Sequence, residues 1–252
     1  MFTLSTPASG VASHAVSLSL PVSADLAWWL TAWLRGNEPT DHLLDAFGDR
    51  GHVVAGLEDG DGGMLDLLLL LRRNGDAAAG LALPREGDPV GLAGPRELND
   101  AALEAGEAVI VGALGLVPED DGEVITWHAH RADRRQLVDV GEADRSLRAA
   151  LLAAAGDLAA LDVARWRPEV ADQLMNLHHT PRLDAPAGTP ARCVDLAARG
   201  LQARAIVDLA LEDDGGALSS YEVEARRGLL QPLEQAGRRA VVAACSAEVW
   251  PG

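Results

Sequence analysis

Apolar positions recur along this chain in two rhythms. Val16, Leu18 and Leu20 alternate with Ser17 and Ser19, the period of a strand with one wet face. After Ser23, a capping residue type, "ADLAWWLTAWLRG" takes a helical period that ends at Gly36. Leu26, Trp29, Leu30, Trp33 and Leu34 share its face, and Trp28 falls at the edge of that face. Thr40 caps a short helix through Phe47, and His52–Leu57 reads as a strand. Asp61 then opens a helix that stops at Gly75. Its run "MLDLLLLL" is apolar nearly all round, which predicts a sheet on one side and a second layer on the other.

The best-punctuated stretch runs from Ala77 to Val117. Ala77–Leu83 is a continuous apolar run that suits a doubly covered strand. Pro84–Pro95 is a Gly/Pro loop that can continue neither a strand nor a helix. Pro95 suits the start of a helix Arg96–Ala105, and Gly106 suits its stop; Leu98, Ala102 and Ala105 share a face. A second strand begins near Glu107. Strand, helix and strand in this order predict a parallel βαβ unit with a right-handed crossover. Its loop would then leave the carboxyl end of the first strand, where α/β sheets place ligands. The turn "PEDDGE" is short enough to fold Val124–Arg131 back as a hairpin strand, which makes the sheet mixed.

From about Asp133 the pattern is helical. Asp139 and Glu142 have the spacing of a capping box before "EADRSLRAALLAAAGDLAAL". A helix follows near Pro168–Leu177, then the connector "HHTPRLDAPAGTP". Pro190 opens a long helix to about Leu211, and Ser219 with Glu222 has capping-box spacing for the next. Pro232 either kinks that helix or starts another through Ala247. The fold class is α+β. A mixed-sheet region spans residues 1–132 and a helical region packed on it spans 133–252, as two units or one continuous domain.

Composition narrows the function classes. With 252 residues and 48% hydrophobic content, the chain is long enough for a large core. A formal net charge of −17 opposes nucleic acid and anionic membranes. All 21 basic residues are arginine, so no side-chain amine is present for Schiff-base chemistry, a Walker A loop or a kinase lysine. Tyr221 is the only tyrosine. Cys193 and Cys245 lie far apart in apolar company and read as buried free thiols. The first residues lack a signal-peptide pattern, and Leu67–Leu71 is far too short to span a bilayer, so a cytoplasmic location is expected. No cofactor is implied.

The candidate chemistry is sparse. His128 and His130, two apart on a strand, project to one face and offer an H-x-H metal pair; solvated strand histidines fit the same letters. "EDDGE" at 119–123 and "EDDGG" at 212–216 lack the spacing of a calcium loop and read as solvated turns. Asp208 on a mostly apolar helix calls for a partner, and Arg204 four residues earlier predicts an ion pair. Arg131, Arg134, Arg135, Arg145 and Arg148 lie among Asp139, Glu142 and Asp144, the composition of a self-neutralised network. In the 84–99 segment, Arg85, Asp88, Arg96 and Asn99 with Gly91 and Gly94 would form an anion site if both arginines turned toward the helix N-terminus.

Three passages carry a family resemblance: "AALEAGEAV" (101–109), "AIVDLALEDDGGALS" (205–219) and "RRAVVAACS" (238–246). Together they resemble a conserved hypothetical family of high-GC bacteria with no known activity, and the resemblance implies no catalytic residue. The sequence therefore reads first as a non-enzymatic binding or scaffold protein acting through protein–protein contact, with a homo-oligomer admitted. The alternative is a small anionic ligand in the 84–99 loop; a metal at His128 and His130 is the weaker alternative.

Overall fold

The computed structural model describes residues 19–58, 60–135, 137–160, 182–212 and 220–251. The strand read at 16–20 falls mostly outside these residues, and the helix near 168–177 and the cap at Ser219 fall wholly outside them. Six strands form one sheet: β1 (Gly51–Leu57), β2 (Gly60–Gly63), β3 (Ala79–Ala82), β4 (Ala108–Val111), β5 (Leu114–Asp120) and β6 (Val124–Arg131). Their order is β2-β1-β6-β5-β4-β3. Only β1 and β6 run parallel, so the sheet is mixed.

Helices α1 (Val22–Leu34), α2 (Thr40–Ala46) and α3 (Met64–Asn74) belong to one side of the sheet. Leu26, Leu30 and Trp33 of α1 share a core with Val54, Val109, Leu116 and Trp127. α1 is buried on its far side as well. Trp28, placed by periodicity at the edge of the apolar face, is fully buried, and Trp29 is the partly exposed one. The second layer explains this: Trp28 packs among the C-terminal helices, and its indole N–H donates to the Ala244 carbonyl at 3.1 Å.

Three other expectations need correction. Residues 60–63 are strand, so α3 starts at Met64 rather than Asp61. Nor is α3 covered all round, because Leu65 and Leu69 stand exposed on its outer face. "AVIVGALGLV" is two strands, since Gly112 at φ +57° and Ala113 turn the chain between Val111 and Leu114.

The βαβ expectation fails in direction, because β3 and β4 are antiparallel. The loop itself makes the return run. It leaves β3 beside Ala108, bonds back through Leu83 N–H to the Val90 carbonyl, and reaches Gly94, whose carbonyl accepts from Asp133 N–H just past β6. An ideal Cβ on Gly91 would lie 2.6 Å from Ala82 Cα, so the loop passes within backbone contact of β3. The chain is thus back at the starting end of β3 before α4 (Arg96–Ala105) begins, and α4 runs alongside β3 rather than against it. α4 covers the other face of the sheet, with Leu98 seated over Gly115.

The C-terminal region consists of α5 (Val140–Ala160), α6 (Ala191–Glu212) and α7 (Ser220–Ala244), then a 3₁₀ turn at Ala247–Val249. Pro232 lies inside α7, which continues through it. α6 and α7 cross closely where Gly200 faces Gly237; an ideal Cβ on Gly200 would sit 2.8 Å from the Gly237 carbonyl oxygen. Half of the expected α5 cap is present, with Glu142 N–H donating to Asp139 Oδ1 at 2.9 Å. No described helix is long and apolar enough to cross a membrane.

The edge strand β3 is sealed by side chains. Thr31 Oγ1 bonds both the N–H and the carbonyl of Ala79. Ser246 Oγ accepts from Leu81 N–H, and Arg135 Nη1 donates to the Leu81 carbonyl at 2.7 Å. No outward backbone group of Ala79 or Leu81 is left for another strand.

Candidate functional site

The loop expected to hold a ligand is clamped onto α7. Arg85 and Asp88 close a tight turn through reciprocal backbone bonds. The Asp88 carboxylate then receives Arg238 at 2.9 Å, Arg239 at 3.1 Å and Gln235 at 3.0 Å. Burial opposes its ionisation, but the bonds from Gln235 and Arg239 and the charges of Arg239 and Arg238 outweigh burial and hold the carboxyl below its ordinary range. Arg238 is almost fully buried and also donates to the Leu83 carbonyl at 3.0 Å. Arg135, from beyond β6, donates to the Gly91 carbonyl at 3.0 Å and pairs with Glu248.

The residues singled out around this loop do not converge. Arg85 is more than half exposed and meets Glu234 at 3.3 Å, while Arg96 is 92% exposed and pairs with Asp100 on its own helix. Gly91 and Gly94 serve close backbone approach, to β3 and to Asp133. Asn99 lies in the first turn of α4 with a buried Oδ1 that has no hydrogen-bond partner among the described residues. The partner of Asp88 is Arg238 on a distant helix, a pairing with no local signal in the sequence.

Two other expected pairings also change. Asp208 is exposed and makes no direct salt bridge to Arg204, although its charge still favours the charged guanidinium. Arg204 instead lies partly buried between α6 and the loop. In the basic cluster, Asp144 takes both Arg148 and Arg199, the latter at 2.7 Å from α6, so part of that network spans two helices.

His128 and His130 do share a face of β6. With Glu119, Glu104 and Val117 they line a shallow depression of about 440 Å³ beside α4. His128 Nε2 lies 2.8 Å from Glu119 Oε2. Burial, then the neighbouring His128, pushes the His130 pKa down. Among the described residues no group of three or more His, Cys, Asp or Glu side chains is placed to hold a metal ion. "EDDGE" shapes its own turn, with Asp121 Oδ1 accepting from the N–H groups of Glu123 and Val124.

The opposite end of the sheet contrasts with sealed β3. β2 pairs with β1 on one side and with no described strand on the other. Its sequence, Gly60-Asp61-Gly62-Gly63, offers backbone with almost no side chain. A cleft of about 250 Å³ separates it from α3, lined by Leu57, Leu69, Leu70, Asp61 and Asp66. Leu65 and Leu69 are 53% and 68% exposed beside it.

Comparison with known proteins places two family models on the chain. The model described as Rv1486c-like protein, N-terminal domain, matches residues 23–140, and the corresponding C-terminal domain model matches residues 141–242. The uncharacterized protein Rv1486c of Mycobacterium tuberculosis is 27% identical, over 91% of this chain and 98% of its own length. The uncharacterized protein ML1804 of Mycobacterium leprae is 25% identical over the same shares. No solved structure matches.

Proposed function

This chain belongs to the Rv1486c-like family, and we propose that it works as a protein-binding protein whose partner adds an extended, basic segment to the open edge of β2. The observation that carries this reading is the contrast between the two sheet edges. Side chains occupy the outward groups of β3, whereas β2 presents a glycine backbone beside exposed Leu65 and Leu69. Backbone pairing would supply affinity, and the cleft under Leu69 would select an apolar side chain. Glu58, Asp61 and Asp66 outnumber Arg73 around the edge, which favours a partner with basic residues. A second copy of a chain carrying −17 would set those carboxylates against each other.

A photo-crosslinker at position 69 in the native host tests this. The expected product joins a different protein through an extended basic segment. The matching synthetic peptide should protect the 60–63 amides from hydrogen exchange, and Leu69→Asp should abolish its binding. A crosslink to a second copy would replace the partner by self-association. A peptide that leaves the 60–63 amides unprotected would reject strand addition.

A further inference from the structure

The partly buried Arg204 identifies a second site, unrelated to the β2 edge. It lies on α6 with its stem packed at the close α6–α7 crossing, where an ideal Cβ on Gly237 would be 3.2 Å from Arg204 Cγ. Its guanidinium makes no hydrogen bond or ion pair with any described residue, and Asp208, one turn along the helix, is exposed to solvent. Burial, then the charge of Arg85, pushes its pKa down; Glu234 and Asp208 oppose this and Arg238 adds to it. A guanidinium partly shielded from water gains when its fork of N–H donors is matched by acceptors. Here those donors face a cavity.

That cavity holds about 500 Å³. Arg85, Arg204 and Arg238 line it together with Leu83, Leu103 and the carboxylates Glu86 and Glu104. Arg238 is committed to Asp88, Glu234 and the Leu83 carbonyl and forms a fixed, charge-paired wall. Arg85 meets Glu234 through Nε, so its terminal nitrogens are free to turn inward. No described residue hydrogen-bonds the Arg204 guanidinium, and the carboxylates of Glu107, Asp208 and Glu234 act on it through charge alone. We propose that this cavity binds a small organic anion carrying a single carboxylate or phosphate, gripped by Arg204 and Arg85. Planar guanidinium forks match both head groups. Leu83 and Leu103 suit a short apolar body, and Glu104 at the wall disfavours polyanions. The site shares Arg85 with the 84–99 loop and makes no use of Arg96 or the α4 N-terminus.

Calorimetric titration of the intact protein at low salt, with inorganic phosphate and with propionate, tests the proposal. At least one probe should bind saturably, and the tighter one names the head group. Arg204→Met keeps the length of the side chain and removes its charge. This variant should fold at least as stably as the parent without ligand, and should lose tenfold or more in affinity. Arg96→Ala should bind as the parent does. Binding of neither probe up to about 10 mM, or unchanged affinity in Arg204→Met, overturns the site.

Discussion

Gly80 shows how one missing side chain can hold a fold together. An ideal Cβ there would fall 1.8 Å from Arg135 Nη2 and 2.5 Å from Glu248 Oε2. The space over Gly80 is therefore the seat of the buried Arg135, which pairs with the more exposed Glu248 and donates to the Leu81 and Gly91 carbonyls. Gly80→Ala should expel the guanidinium and cost about 2–4 kcal/mol, between overpacking and the breaking of a buried pair. Urea denaturation measures the loss. Asp25 gives the residue scale its pH dependence. Burial pushes its carboxyl from the ordinary 3.8 up to about 6. The folded state thus holds a proton that the unfolded chain has already released, so this group lowers stability as pH rises from about 4 to about 6. Above that window the penalty is constant, on the order of 2 kcal/mol once partial exposure is allowed for. Asp25→Asn should therefore be the more stable protein at pH 7 and lose that advantage below pH 4, in denaturation curves taken across the range.

At the scale of elements, the loop after β3 behaves as a strap. Asp88 is its fastening to α7, and removing the carboxylate leaves the buried Arg238 with Glu234 and the Leu83 carbonyl as its partners. Asp88→Ala should cost about 3 kcal/mol, the range for breaking a buried pair from one side. It should also make the Arg85–Glu86 bond an early trypsin cut, seen as a new fragment boundary in limited proteolysis. This strap also marks where sequence patterning stops being informative. Local signals sufficed for α4, because Pro95 and Gly106, the latter at φ +80°, bracket it and Leu98 and Ala102 carry its buried face. They sufficed equally for the β5–β6 hairpin, whose turn Asp121 closes. The direction of β4 against β3 was not legible. It depends on the loop lying back along β3, held there by Arg135 and Arg238 from segments about 44 to 155 residues away. The site around Arg204 was hidden for the same reason. Spacing along one helix paired Arg204 with Asp208, whereas its neighbours in space come from the strap and α7. Trp28 misled in a related way, because periodicity reports a buried face but not a second covering layer.

Across the whole molecule, the sheet and the C-terminal helices share one core. Ala24 and Trp28 of α1 and Leu81 and Leu83 around β3 pack in the same cluster as Leu147, Leu196, Leu233 and Val241 of α5, α6 and α7. The Asp88 clamp crosses between the regions matched by the two family models, and the Trp28–Ala244 and Leu81–Ser246 hydrogen bonds tie the first region to the chain just past the second. Separating these regions would uncover a fully buried tryptophan and the outer edge of β3 together, so neither surface can be exposed without the other. The molecule should then unfold in one cooperative step. In native-state hydrogen exchange, the amides of Val109 and Val111 on β4 and those of Val241 and Ala244 on α7 should open with a common free energy. Trp28→Ala should lower that value by about 3–5 kcal/mol, the usual cost of emptying a tryptophan site, and by the same amount in both groups. If β4 kept its protection while α7 lost it, the regions would be separate folding units and the shared core only a docking surface.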